Sequence, residues 1–161
     1  CPIIIPEGFE SVPAEQWSKM MQRGKETLEK TYDAEIENNA KAICIFKSDQ
    51  FNYFESNQQP ADTTEDYVEF FKGVNELLFG AFQAQMPDAE FDSAYSSEMI
   101  DGKLFQVFKA TIVLPNKMKL QYFMYSRLFG NKDLTINILT VDSEKQRLLL
   151  EAWRNSKFDV K

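Results

Sequence analysis

The run Met118–Phe129 carries large apolar side chains on both of its strand parities. Leu120, Tyr122 and Met124 share one face, and Phe123, Tyr125 and Phe129 share the other. A strand in a sheet wetted on one side alternates apolar with polar residues, so this run belongs to a sheet covered on both faces. The preceding run repeats the pattern. Leu104, Phe108, Ala110, Ile112 and Leu114 fall on one parity, and Phe105, Val107, Thr111 and Val113 on the other. Asp101-Gly102, between Phe91–Ile100 and that run, is a two-residue hairpin signal. Pro115-Asn-Lys117 and Gly130-Asn-Lys-Asp133 turn the chain twice more, so Phe91 to Thr140 reads as an antiparallel meander.

Covering such a sheet takes helices, and the sequence offers three. The first lies near Pro13–Thr31. Pro13 and Glu15 suit its first turn, and Trp17, Met20, Met21 and Leu28 form its partial apolar stripe. Gly24 is the point at which it bends or breaks. The second spans Glu65–Gln85 with Thr63 or Thr64 as its cap. Val68, Phe71, Val74, Leu78 and Phe82 recur at helical spacing, and Phe70, Leu77 and Ala81 widen the stripe. Gly73 and Gly80 fall two turns apart, which reads as close packing against the sheet, with a groove for a partner as the alternative. The third helix, Ser143–Asn155, starts behind Asp142 and Glu144 and should bury Leu149 and Trp153, with Phe158 tucked beneath it. Ahead of the meander, Pro2–Phe9 reads as a short edge strand. Lys41–Lys47 and Phe51–Glu55 read as a hairpin, and Ser56–Asp62 as a polar loop. The expectation is an α+β fold: a three-layer α/β/α sandwich with a central antiparallel sheet, one domain over residues 1–161.

Three places in the chain resemble the PsbP-like α/β/α sandwich family of PsbP, Mog and DcrB type. They are Ile5-Pro-Glu-Gly-Phe9 ahead of a helix, the hairpin Met99–Lys109 around Asp101-Gly102, and the closing block Asn137–Ser143 into a helix and Asn155-Ser-Lys-Phe158. The resemblance spans nearly the whole chain. It implies the fold and a role in binding proteins or assisting assemblies, and it carries over no functional residues.

Composition narrows the chemistry. The chain contains no histidine, which removes the commonest general base and transition-metal ligand. A serine or cysteine nucleophile paired with histidine cannot be built from it. The net charge of −7, with no basic stripe, argues against nucleic-acid binding. Asp88, Glu90 and Asp92 alternate, but a calcium loop starting at Asp88 would place Ser93 and Met99 where glycine and glutamate belong. They read as solvated carboxylates. Asp62, Glu65 and Asp66 read as first-turn acids of the second helix. No catalytic, cofactor or metal residue stands out, so the chain is expected not to be an enzyme.

The two cysteines differ. Cys44, within Ala42-Ile-Cys-Ile-Phe46, reads as a small buried hydrophobe. Cys1 reads either as the acylated first residue of a mature bacterial lipoprotein, the only membrane attachment foreseen, or as an end left by upstream trimming. The sequence gives no support to a Cys1–Cys44 disulfide. The resulting expectation is an acidic, non-catalytic bacterial domain, envelope-associated or secreted rather than cytoplasmic, that binds a protein partner or supports an assembly. The alternative is a carrier of a small apolar ligand, with Phe51, Tyr53, Phe54, Phe105, Tyr122, Phe123 and Tyr125 lining a cavity between sheet and helix.

Overall fold

The computed structural model describes residues 3–32, 40–61 and 66–158, without the side chains of Met20, Met21, Thr27, Leu28, Thr31 and Tyr32. In chain order the elements are β1 (Glu10–Ser11), α1 (Ala14–Tyr32), β2 (Lys41–Asp49), β3 (Asn52–Pro60) and α2 (Tyr67–Gln85). They continue with β4 (Glu90–Ile100), β5 (Lys103–Val113), β6 (Lys119–Phe129), β7 (Lys132–Thr140) and α3 (Ser143–Arg154). The strands form one sheet in the order β1-β2-β3-β7-β6-β5-β4. Every neighbouring pair is antiparallel. Two meanders, β1-β2-β3 and β4 to β7, therefore meet along β3 and β7.

The meander turns follow their local chemistry. Asp101 and Gly102 both have positive φ, as a type I′ hairpin requires. Gly130 has φ of 62° in the β6–β7 turn. Between β5 and β6, Lys117 donates its backbone N–H to the Leu114 carbonyl, and Leu114 donates to Met118.

The two parities of each strand pack against different helices. Phe54, Phe105, Val107, Phe123, Tyr125, Ile136 and Ile138 meet Leu149, Leu150 and Trp153 of α3. Phe108, Ala110, Tyr122 and Met124, on the alternate parity, meet Phe71, Leu78 and Phe79 of α2. Tyr53 also alternates with Phe54, and it packs with Ala42, Ile45, Val12 and Trp17 under α1. Burying a large side chain of this kind contributes about 1.5–3 kcal/mol, which is why both parities are apolar. Trp153 is 2% exposed and its ring meets Phe54, Phe105, Tyr125 and Phe158. Phe158 is held there by its N–H, which donates to Asp101 Oδ2 at the β4–β5 turn, 2.8 Å away. The buried Trp153 and Leu149, and Phe158 against the helix, are as the sequence predicts.

Several local expectations change. Pro2–Phe9 does not supply the edge strand. Among the described residues the pairing falls later, at Glu10–Ser11, because Pro6 lacks an N–H and Gly8 turns the chain at φ 89°. Helix α1 runs through Gly24 without a break. Thr63 and Thr64 lie outside the described residues, and the cap of α2 is Asp66, whose carboxylate accepts from the N–H groups of Val68 and Glu69. Gly73 is not a close-packing glycine, since an added Cβ there would meet nothing within 4 Å. Cys44 is half-buried against the core and disulfide-bonded, not an inert thiol. Among the described residues, β1 pairs with the Phe46–Lys47 end of β2.

The largest change concerns Ser56–Gln59. These residues are not a loop. They extend β3 between β2 and β7, in the middle of the sheet.

Candidate functional site

The extension of β3 puts polar side chains where the opposite face of the same strands is hydrophobic core. Glu55, Asn57 and Gln59 share one parity of β3. Their partners across the ladder are Asn137, Thr135 and Asp133 of β7. Ser126 of β6 lies opposite Thr135, and the row ends beside Tyr122. The seam occupies the parity that also carries the α1 and α2 clusters. Glu55 is 2% exposed and Asp133 is 5% exposed, so neither is a solvated surface acid.

Burial on this scale requires hydrogen-bond partners, and they are present. The Asn57 side-chain amide donates to both carboxylate oxygens of Glu55, at 2.8 and 3.0 Å. The Asn137 amide donates to Glu55 Oε2 at 2.7 Å, and the Tyr122 hydroxyl donates in turn to Asn137 Oδ1. Burial lifts the Glu55 pKa above the ordinary glutamate value, although both amides pull against it. Burial with the nearby Glu55 charge pushes Tyr53 up to about 12, and burial raises Tyr122 far above a free phenol. No cation lies among these contacts.

A second nest forms further along β7. Tyr67, at the start of α2, and Ser126 each donate to Asp133 Oδ1 at 2.8 Å, and their hydroxyls also touch. Gln59 bonds the same carboxylate. Burial raises the Asp133 pKa against those hydrogen bonds, and it raises the Tyr67 pKa as well.

These nests do not make an acid–base pair. Glu55 sits opposite Asn137, four residues from Asp133, which along a strand is about 13 Å. Each buried carboxylate is held by neutral donors, Glu55 by Asn57 and Asn137, and Asp133 by Tyr67, Ser126 and Gln59. The arrangement tethers β3, β7, β6 and the start of α2 to one another.

The acids singled out from the sequence fall elsewhere. Asp62 and Glu65 lie outside the described residues, and Asp66 caps α2. Glu90 and Asp92 are exposed on β4, and Asp88 is exposed in the turn before it. Asp142 caps α3, and Glu144 pairs with Arg147. Cys1, the candidate lipid attachment, lies outside the described residues. The seven aromatics proposed as one cavity lining are divided. Phe54, Phe105, Phe123 and Tyr125 join the α3 cluster, Tyr122 the α2 cluster and Tyr53 the α1 cluster. Phe51 is exposed in the β2–β3 turn.

Sequence reasoning missed the seam. Its signal was two polar parities, Glu55-x-Asn57-x-Gln59 and Asp133-x-Thr135-x-Asn137, each of which resembles the wet face of an ordinary strand. A further buried polar group, Asn52, accepts from the N–H groups of Val141 and Asp142 and donates to Asp49, tying β3 to the start of α3. Against a burial cost, the Phe51 N–H, the Asn52 amide and the Lys145 ammonium bring Asp49 down to about 2.

The accessible apolar feature is on α2. Phe70, Val74 and Leu77 recur at four- and three-residue spacing and are 44%, 42% and 56% exposed. The core side of the same helix holds Phe71 and Asn75. One flank of α2 therefore presents a row of large apolar groups outward.

No protein-family model matches the chain, and no curated protein matches it in sequence. Among solved structures it is similar to cyanobacterial PsbP (CyanoP) from Synechocystis sp. PCC 6803, in its solution structure. The TM-score is 0.59 at 8% identity, over 96% of this chain and 83% of that one. Likeness at this identity carries the fold alone. The fold is PsbP-like, an α+β arrangement around a seven-stranded antiparallel sheet.

Proposed function

We propose that residues 1–161 form a single three-layer α/β/α domain whose work is non-catalytic: it binds a protein partner or supports an assembly outside the cytoplasm. The observation that carries this reading is the outward apolar row Phe70, Val74 and Leu77 on α2. Large apolar groups gathered on one helix flank are the usual mark of an interaction surface, whereas scattered single ones are not. The two buried carboxylates support the non-catalytic half, because both are committed to their own nests. The disulfide at Cys44 supports an oxidising compartment, envelope or secreted.

The test is a photo-crosslinking residue in place of Leu77, expressed in the native cell. A discrete protein adduct, lost in the Phe70→Glu background, is expected. Leu77→Lys should leave folding stability within about 0.5 kcal/mol, since the side chain is on the surface. Stoichiometric co-purification of an apolar small molecule, with no protein adduct at position 77, would replace this reading with the carrier.

A further inference from the structure

β4 is the last strand of the sheet, and its outer edge is long and straight. It pairs with β5 residue for residue from Glu90↔Val113 to Ile100↔Lys103, with no bulge. The Asp101-Gly102 turn makes Ile100 and Lys103 a hydrogen-bonded pair, so the even-numbered residues of β4 face β5 with their backbone groups. The N–H and C=O groups of Phe91, Ser93, Tyr95, Ser97 and Met99 point the other way, off the sheet. Of the devices that blunt an exposed edge, β4 has charged side chains, Glu90, Asp92 and Glu98, but no proline, no lysine and no bulge. The opposite edge of the sheet ends instead in the two-residue β1.

The charge on this edge has one sign. From Gly73 to Gly102 the chain carries Glu76, Asp88, Glu90, Asp92, Glu98 and Asp101, and no lysine or arginine. Arg154 binds Glu98 and Lys157 reaches Asp101. Glu90 and Asp92 have no ion pair among the described residues. They stand on one side of the strand. Lys109 of β5, on that same side, leans inward over the Phe123 ring. The other side of β4 is apolar at the rim, where Tyr95 and Met99 are 37% and 57% exposed. Lys72 lies over the Tyr95 ring from α2.

We propose that the β4 edge takes an extended peptide segment as an eighth strand, its side chains alternating between lysine or arginine beside Glu90 and Asp92 and apolar groups beside Tyr95 and Met99. Main-chain hydrogen bonds supply the affinity of such an addition, and the alternate side chains supply the choice of partner. Charge selects against a second copy of this chain. Antiparallel self-pairing centred on Tyr95 would set Asp92 opposite Glu98 twice, and like charges directly opposite are unfavourable. This surface is separate from the α2 row, so either can fail without the other.

The experiment uses the full chain and a synthetic peptide alternating lysine and valine, with amide hydrogen exchange read residue by residue. Exchange at Ser93, Tyr95 and Ser97 is expected to slow by about tenfold or more when the peptide binds. Ser97→Pro removes one outward N–H and no ladder bond, and should weaken binding by about tenfold. Glu90→Lys with Asp92→Lys should abolish binding. No protection at these amides overturns the proposal. So does equal binding by Ser97→Pro, or by a peptide alternating glutamate and valine. A concentration-dependent dimer that Ser97→Pro dissolves would overturn it in favour of a second copy.

Discussion

Replacing Glu55 with glutamine tests whether the buried seam carries an uncompensated charge. Burial raises the Glu55 pKa above 4.5, and the amides of Asn57 and Asn137 only partly offset it. A carboxyl whose folded pKa lies above its unfolded value binds its proton more readily in the folded state. Its stabilising contribution is complete below the unfolded pKa, and it is lost as pH rises through the folded pKa. The slope that one such group imposes has a ceiling of about 1.4 kcal/mol per pH unit. Asp133 acts with the same sign. Asp49, lowered to about 2, acts with the opposite sign and only below about pH 4, so the two effects occupy different windows. Wild-type stability should therefore peak in mild acid and fall toward neutral pH. Glu55→Gln should remove the Glu55 share of that fall. Near pH 4 the variant should match the wild type within about 1 kcal/mol, because both side chains are then neutral and one acceptor has been exchanged for a donor. Urea unfolding followed by tryptophan fluorescence at steps between about pH 4 and 8 measures it, with Trp17 and Trp153 as buried reporters. Parallel stability profiles for wild type and variant across that range would show that ionised Glu55 is fully compensated where it sits, and the argument would fall.

Gly73→Ala should stabilise the fold by about 1 kcal/mol, because its Cβ enters open space and the helix loses a flexible position. For a chain of this length that is a rise in Tm of about 2–4 °C by calorimetry, and a fall would mean that the flank is packed. Trp153→Ala should cost about 3–5 kcal/mol in urea unfolding, since it empties the centre of an aromatic cluster and removes the ring that Phe54, Phe105 and Tyr125 share. A loss below about 1 kcal/mol would mean that the α3 layer adds little to stability.

What was legible in the sequence was whatever local periodicity decides. Strands β4 to β7 announce themselves through apolar parity and short turns, and α2 and α3 through helical spacing. The apolar load on both parities of β6 called for cover, and Trp153 and Leu149 are buried as expected. The tail of β3 was not legible. Ser56, Asn57, Gln58 and Gln59 have little strand propensity and no apolar alternation. They are strand because Ile136, Thr135, Leu134 and Asp133, distant in sequence, meet them across the ladder. No local window contains that information, and the seam was missed for the same reason. The cap of α2 was misplaced more simply, since Asp66 and the two threonines before it are all good caps and only the backbone decides which is used.

The junction of β3 with β7 also orders events in time. β2-β3 and β4 to β7 are held by hairpin neighbours, so each can organise from contacts close in sequence. Joining them closes a chain segment of 82 residues between Glu55 and Asn137. The entropy of such closure grows only with the logarithm of its length, so the junction weighs little on equilibrium stability. Its weight falls on rate, because distant pairings must be found before they yield any return. The expected order of assembly is two quickly formed halves and then one slow seam, the seam in which the fold keeps its buried carboxyls.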